Sequence, residues 1–176
     1  KLVFAGASSV GKTSIIHQFM YNKFETQDLN TTLTAAYISH KINDKIVNIW
    51  DTAGQERFSS LAPQFFKSAD VVALVFSVTE PDTLEKVKSY IDIAKVRAPN
   101  ATLFILGNKS DLDEEKIHQQ KIDDVCELNG AKYFAVSAKT GQNINKFFKK
   151  VAECEANVEN VKKKLDIDRK ESKGCC

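Results

Sequence analysis

The chain has 176 residues, of which 43% are apolar and 27% are charged. This composition supports one domain with its own core, and it excludes collagen-like, disulfide-dense and disordered proteins. The formal net charge is +2, from 25 basic and 23 acidic residues, which excludes a strongly basic nucleic-acid-binding protein. The excess charge lies at one end, because residues 157–176 hold six basic and four acidic side chains, whereas residues 1–156 hold 19 of each.

The first third of the chain predicts a strand, a helix and a hairpin. Lys1–Gly6 is a short apolar strand, and Thr13–Met20 has the pattern of a helix. Two further segments, Tyr37–Ile42 and Ile46–Asp51, alternate polar and apolar residues around Asn43-Asp44-Lys45. This alternation about a turn sequence predicts an antiparallel hairpin.

The rest of the chain alternates between strand and helix patterns. Val71–Val78 is a continuous apolar run, typical of a strand buried on both faces. Asp82–Glu85 has the pattern of a helix cap, and an apolar stripe follows it at helical spacing. A strand, a helix, a strand and a final helix are then expected at Thr102–Gly107, within Lys116–Leu128, at Lys132–Val136 and from Asn143 onward.

This alternation predicts an α/β fold, with a six-stranded, mostly parallel sheet and helices on both faces. One strand is antiparallel because of the hairpin. Ligands of such sheets bind at the carboxyl ends of the strands. The last helix has apolar residues at helical spacing up to Val158 and Val161, and the stripe stops beyond about Leu165. We therefore expect one domain over residues 1–161 and a flexible tail over residues 162–176.

A phosphate-binding loop is predicted between the first strand and the first helix. Residues 6–13 read GASSVGKT, which fits G-x-x-x-x-G-K-[ST] in the context that this motif requires. Backbone N–H groups and the helix N-terminus would face the anion, Lys12 would reach the β- and γ-phosphates, and the Thr13 hydroxyl would bind Mg²⁺. The predicted nucleotide-binding residues of this segment are Ser8, Ser9, Val10, Gly11, Lys12, Thr13 and Ser14.

A second motif, WDTAGQE, closes the second strand of the hairpin at residues 50–56. Asp51 lies at the strand end, where a carboxylate can hold Mg²⁺ through its water shell. Gly54 lets the backbone approach a γ-phosphate, and its N–H can register whether that phosphate is present. Gln55 can orient the attacking water, so it is the predicted catalytic residue.

A base-binding motif, Asn108-Lys109-Ser110-Asp111, follows the strand Thr102–Gly107. The Asp111 carboxylate can accept the ring N–H and the exocyclic amine of guanine, two donors that adenine lacks in that arrangement. The stem of Lys109 can lie across the base. After the next strand, an N–H of Ser137-Ala138-Lys139 can serve the guanine oxygen. Phe24 is interpreted as stacking on the base edge or as a core residue.

Taken together, these motifs resemble a Ras-superfamily small GTPase, and within that superfamily the Rab family. The resemblance covers residues 1–161 and the terminal cysteines, and WDTAGQERF favours Rab over Ras or Rho types. Residues 35–37, 61–66 and 75–79 are most similar to the early-endosomal Rab subgroup. The resemblance implies the small G-domain form of the P-loop NTPase fold, with GTP and GDP as substrate and product and Mg²⁺ as cofactor.

The resemblance also implies two switch segments, over about residues 24–36 and 52–68. The switch I threonine that completes the Mg²⁺ shell is Thr32 by the pattern that follows it, but Thr32 lies one residue further from Lys12 than usual, so Thr31 is an alternative. Thr34 stands where Rabs usually have Gly. The hairpin is also about four residues shorter than in typical Rabs, and a loss of two residues from each arm would keep the side-chain faces in register.

Two further features follow from the resemblance. Tyr37, Trp50 and Phe65 match the aromatic triad with which Rabs present a state-dependent surface to effectors; the alternative is that they fill a core. Cys175 and Cys176 match the double-geranylgeranylation signal, and two lipid chains give stable anchoring where one gives marginal binding. The basic residues of the tail add weak attraction to anionic lipid.

The expected function is a monomeric, GTP/GDP-cycled switch in vesicle trafficking, on the cytosolic face of endosomal membranes and cycling with the cytosol. Expected partners are effectors, an exchange factor, a GTPase-activating protein, a prenylation escort and a GDP-dissociation inhibitor. A nucleotide-binding adaptor with little hydrolysis is the alternative. A small-molecule kinase would lack the Asn108–Asp111 motif and carry an arginine-rich lid, and the sequence has the reverse.

Overall fold

A computed structural model describes residues 1–24, 36–52 and 62–155. Its strands are β1 (Leu2–Gly6), β2 (Ala36–Ile42), β3 (Lys45–Asp51), β4 (Val71–Ser77), β5 (Thr102–Asn108) and β6 (Lys132–Ala135). Its helices are α1 (Lys12–Tyr21), α2 (Ala62–Phe66), α3 (Pro81–Arg97), α4 (Gln119–Asn129) and α5 (Ile144–Glu153).

The six strands form one sheet in the order β2-β3-β1-β4-β5-β6. Only β2 and β3 pair in the antiparallel direction, and every other pair is parallel. All seven residues of β4 are buried, because helices cover both faces: α1 and α5 pack on one face, and α2, α3 and α4 on the other. The predicted fold class is therefore confirmed. In this strand order β1 lies at the centre of the sheet, so the loop that follows β1 also lies there.

The hairpin has a tighter turn than the sequence pattern indicated. Ile42 pairs with Lys45 across a two-residue turn, so Lys45 belongs to the strand and the expected Asn43-Asp44-Lys45 loop was one residue too long. Asn43 has a φ of 53°, a left-handed conformation that Asn tolerates better than most residues. This register places Tyr37 opposite Trp50.

The start of α3 also differs from the expectation. The predicted cap at Asp82 was wrong, because Asp82 lies in the first helical turn and the N-cap is Glu80, with Pro81 at the start of the helix. Proline suits this position because its missing N–H has no partner in the first turn. The Thr83 hydroxyl donates to the Glu80 carbonyl at 2.6 Å and accepts from the Ser77 N–H at 3.0 Å.

The short helix α2 has no counterpart in the sequence prediction. Helix α4 begins within the expected range, at Gln119, and ends at Asn129, one residue beyond that range. The described part of the last helix ends at Glu153, and the positions expected to extend its stripe, Val158 and Val161, lie outside the described residues. Among the described helices, none is long and apolar enough to cross a bilayer.

Candidate nucleotide-binding site

The loop between β1 and α1 is closely packed at the carboxyl end of the central strand. Gly6 has a φ of +148°, and a Cβ there would lie 2.2 Å from the Val75 carbonyl oxygen. Gly11 has a φ of +91°, and its Cβ would lie 2.3 Å from Nδ2 of Asn108. Both glycines are therefore required by space as well as by backbone conformation.

Lys12, the first residue of α1, has its ammonium inside this loop. Its Nζ donates to the carbonyl oxygens of Gly6 at 3.0 Å and Ala7 at 2.8 Å. The residue is 6% exposed. Burial lowers the pKa of Lys12 to about 8, against the opposing charge of Asp51. The loop thus holds the buried ammonium of Lys12, on its flexible side chain, at the position that the motif requires.

Thr13 and Asp51 meet beside this lysine. The Thr13 hydroxyl donates to Oδ2 of Asp51 at 2.6 Å. Asp51 is 2% exposed, and its Oδ1 is buried without a hydrogen-bond partner among the described residues. Burial raises the pKa of Asp51, while the Thr13 hydrogen bond and the Lys12 charge lower it. The Thr13 hydroxyl and the Asp51 carboxylate, whose Oδ1 has no hydrogen-bond partner among the described residues, fit a hard divalent cation such as Mg²⁺, which prefers oxygen ligands.

The Asn108 side chain connects the phosphate loop to the loop that follows β6. Its Nδ2 donates to the Val10 carbonyl at 2.8 Å, and its Oδ1 accepts from the Ala138 N–H at 3.0 Å. The side chain is 2% exposed, so both hydrogen bonds are shielded from water. Because the Ala138 amide already has this acceptor, it can serve a base oxygen only by sharing or exchanging it.

A cavity of about 270 Å³ opens beside Asn108. It is lined by Ser9, Gly11, Ser14, Phe24, Asn108, Lys109, Asp111, Leu112, Ala138 and Lys139. The Ser137 hydroxyl donates to Oδ1 of Asp111 at 2.5 Å, and the Lys139 ammonium lies 4.0 Å from Oδ2 of Asp111. Phe24 lines this cavity, and because it is 41% exposed it does not occupy the core.

The remaining predicted site residues fall into two groups. Ser8 is half-buried, and the Val10 side chain is fully buried in the core, so Val10 can reach a ligand only through its backbone. The others lie outside the described residues: Thr31, Thr32, Gly54, Gln55, Cys175 and Cys176.

The three predicted effector-surface aromatics are in contact. The rings of Tyr37 and Trp50 have centroids 5.1 Å apart, and those of Trp50 and Phe65 are 5.8 Å apart. Tyr37 is 54% exposed, while Trp50 and Phe65 are half-buried and pack against the α2–α4 face of the core. The cluster therefore combines core packing with an exposed edge, so the two interpretations are compatible.

One residue near the cavity was missed by the sequence prediction. Oε1 of Glu80 accepts from the Lys109 ammonium at 2.7 Å. The two residues are 29 positions apart, on the loops that follow β4 and β5. Only the strand order makes them neighbours, so no local pattern could have identified this pair.

Comparisons with known proteins agree with this geometry. A family model described as the Ras family matches residues 1–157, and the chain belongs to that family. It is 38% identical over 154 residues to Ras-related protein Rab-21 of Mus musculus, covering 84% of this chain and 69% of the relative. It is 36% identical over 169 residues to putative ras-related protein Rab-5B of Dictyostelium discoideum, covering 92% and 77%. It is 37% identical over 175 residues to Ras-related protein Rab7 of Drosophila melanogaster, covering 92% and 84%.

These matches assign the chain to the Rab-type small GTPases, which hydrolyse GTP and act as switches in vesicle trafficking. Binding of GTP and GDP follows from membership of this class.

Proposed function

We propose that this Rab-type protein is a Mg²⁺-dependent GTP/GDP switch of endosomal membranes, with the nucleotide seated along the loops that follow β1, β5 and β6. The observation that carries the proposal is the pair of buried hydrogen bonds of the Asn108 side chain, which donates to the Val10 carbonyl and accepts from the Ala138 N–H. They hold a phosphate loop and a base loop around one cavity. A nucleotide is the ligand that presents a polyphosphate and a base to two adjoining loops.

The base would be selected by Asp111. A carboxylate accepts two parallel donors from guanine, and adenine would leave those acceptors unpaired in a partly buried site. Ser137 holds one oxygen of this carboxylate through its hydroxyl, which fixes the orientation of Asp111. Phe24 and the stem of Lys109 line the same cavity and would contact the base, and Lys139 would contribute beside Asp111.

The phosphates would lie against the N–H groups of residues 8–14, at the N-terminus of α1. Lys12 would exchange its two carbonyl partners for the β- and γ-phosphate oxygens. Thr13 and Asp51 would hold Mg²⁺ together with Thr32, or with Thr31 as the alternative. When bound, Mg²⁺ neutralises charge on the β- and γ-phosphate oxygens.

Hydrolysis would depend on switch II. Gln55 would orient the attacking water, and the Gly54 N–H would register the γ-phosphate. The sequence offers no evident arginine finger, since Arg57 belongs to switch II. We therefore expect slow intrinsic hydrolysis and acceleration by a GTPase-activating protein.

The partners proposed here are those of the Rab class in general: effectors, an exchange factor, a GTPase-activating protein, a prenylation escort and a GDP-dissociation inhibitor. The cluster of Tyr37, Trp50 and Phe65 would be the effector surface, because it presents aromatic area beside both switch segments. The protein would act as a monomer without a nucleic-acid partner.

Membrane attachment would come from the end of the chain. We propose a GTP-binding domain over residues 1–161 and a flexible tail over residues 162–176, with geranylgeranyl chains on Cys175 and Cys176. The attached protein would occupy the cytosolic face of endosomal membranes and exchange with the cytosol.

Single-turnover hydrolysis tests the switch proposal. Purified protein should bind GTP and GDP with Mg²⁺ and not ATP, and it should hydrolyse GTP slowly. Gln55→Leu should keep nucleotide binding and lose hydrolysis. If wild type and Gln55→Leu are equally inert even with a cognate activating protein, the nucleotide-binding adaptor is the correct description, whereas preference for ATP would contradict guanine recognition.

Localisation tests the anchor separately. A fluorescent fusion should associate with endosomal membranes, and replacement of Cys175 and Cys176 by Ser should release it to the cytosol. Unchanged membrane association in the double variant would contradict lipid anchoring. Association with another compartment would contradict the endosomal assignment alone.

A further inference from the structure

The ion pair between Glu80 and Lys109 lies at the rim of the proposed base cavity. Oε1 of Glu80 is 2.7 Å from the Lys109 Nζ. Lys109 lines the cavity together with Phe24 and Asp111. Its backbone has a φ of 65°, a left-handed conformation that is uncommon for a non-glycine residue.

Glu80 is itself held in place. Its carbonyl accepts from the Thr83 hydroxyl at 2.6 Å, which anchors the residue to the first turn of α3. Two positions earlier, the Val78 N–H donates to the Asn108 carbonyl at 3.0 Å. The loop that carries Glu80 is thus bonded directly to the strand end that carries Lys109, and the two side chains meet across a rigid junction.

A lysine stem needs such a partner in order to cover a flat ligand. The side chain has four flexible bonds, and immobilising it on ligand binding costs conformational entropy. A carboxylate that holds the ammonium beforehand selects one path for the stem and reduces that cost. The hydrogen bond from Lys109 also lowers the pKa of Glu80, so the carboxylate is ionised at neutral pH.

We infer that Glu80 is a positioning residue for guanine nucleotide: it holds the Lys109 ammonium so that the lysine stem lies along the base cavity. This inference rests on the proposed function, in which Lys109 contacts the base. The side chains of Lys109 and Glu80 are 31% and 48% exposed. The pair is therefore partly screened by water, and its contribution to binding is modest and weaker at high salt.

A double-mutant cycle on the rate of GDP release tests this role. Glu80→Gln removes the charge and keeps the shape, whereas Lys109→Met removes the ammonium and keeps the stem. With fluorescently labelled GDP and Mg²⁺ at low salt, Glu80→Gln should release GDP roughly three- to fivefold faster than wild type. In the Lys109→Met background the same change should have no effect, because the partner is gone.

The control is Glu85→Gln, which breaks an exposed ion pair with Lys88 on the same helix, 2.7 Å long. It should release GDP at the wild-type rate. Single-turnover GTP hydrolysis of Glu80→Gln should also be unchanged, because the reacting phosphate lies at the other end of the nucleotide, and a structural defect would alter both rates.

Three results would overturn the inference. They are an unchanged GDP release rate in Glu80→Gln, an equal acceleration in the Lys109→Met background, and a parallel loss of hydrolysis and stability. Failure of the wild-type protein to bind GDP would instead contradict the proposed function, so the two failures are distinguishable.

Discussion

Asn108 donates through Nδ2 to the carbonyl oxygen of Val10, 98 residues earlier in the chain, at 2.8 Å. The same side chain accepts from the Ala138 N–H at 3.0 Å. One buried amide therefore holds three loops in register. The proposed base site and the proposed phosphate site share this residue, so we expect a change at Asn108 to affect both ends of the proposed nucleotide site.

Asn108→Ala should destabilise the fold and weaken nucleotide binding together. The substitution leaves the Val10 carbonyl and the Ala138 amide without their buried partner, which should lower the free energy of unfolding by about 2 kcal/mol. Urea denaturation and GDP titration measure the two effects. Asn129→Ala is the matched control, since it removes an amide–carbonyl bond of 2.7 Å to Val125 at the far end of α4. Wild-type GDP affinity in Asn108→Ala would contradict the connecting role.

Gly11→Ala should be more harmful than Gly130→Ala. Both glycines have positive φ, but a Cβ at Gly11 meets Asn108 Nδ2 at 2.3 Å, while nothing lies within 4 Å of a Cβ at Gly130. Gly130→Ala should therefore cost only the left-handed strain, about 1 kcal/mol. Gly11→Ala adds the displacement of Asn108 and should also lose nucleotide affinity. Equal destabilisation of the two variants in denaturant would show that the Asn108 contact is unimportant.

The buried Lys12 predicts a specific pH dependence in protein stripped of nucleotide. Its pKa in the folded chain is about 8, below the ordinary value of 10.5, so the unfolded chain binds more protons between these values. Stability should therefore rise with pH through this window, and the penalty at pH 7 is roughly 3 kcal/mol.

Comparison with Lys12→Met isolates this effect, because other titrating groups contribute equally to both proteins. The unfolding free energy of wild type should increase relative to that of Lys12→Met between pH 7 and 9.5. A constant difference over this range would mean that the ammonium is not penalised by burial.

Asp51→Asn should separate stability from metal dependence. Burial raises the pKa of Asp51 in the folded chain, so the carboxyl group favours folding below pH 3.8, and this contribution is lost as pH rises through its folded pKa. At pH 7 the neutral amide should therefore stabilise protein without nucleotide.

The same substitution removes the proposed Mg²⁺ ligand. In wild type, EDTA should accelerate GDP release strongly, whereas in Asp51→Asn the rates with Mg²⁺ and with EDTA should be similar. Asp124→Asn, which changes an exposed carboxylate on α4, should behave like wild type in both assays. Retention of a large EDTA effect in Asp51→Asn would exclude Asp51 from the metal site.

The sequence predicted the elements whose periodicity is strong and missed the details that tertiary contacts decide. All six strands were expected, because their apolar runs are continuous or alternate cleanly. The start of α3 was misplaced because Asp82 has the residue type of a cap. The N-cap is instead Glu80, Pro81 is the first helical residue, and the Thr83 hydroxyl makes the hydrogen bonds at this end. The short α2 presents too few turns to establish a period.

In the candidate site, too, local motifs could be predicted from the sequence and tertiary contacts could not. The motifs predicted Lys12, Asp51 and Asn108 as site residues because each occurs in a local pattern next to a strand end. Three features of the site could not be predicted from the sequence. They are the two loop carbonyls that accept from Lys12, the Asp51 oxygen without a hydrogen-bond partner among the described residues, and the contact between Glu80 and Lys109. Each depends on distances set by strand order, which a local pattern does not encode.

The position of β1 at the centre of the sheet has a consequence during synthesis. Leu2 pairs with Ile49 on one side and with Val71 on the other. The ribosome therefore produces this apolar strand well before either neighbour exists, and about 70 residues separate it from β4. At roughly 5–20 residues per second, β1 waits several seconds with both edges unpaired. In that interval its apolar residues and both of its edges are open to aggregation or to chaperone binding, because the order of translation differs from the order of the strands.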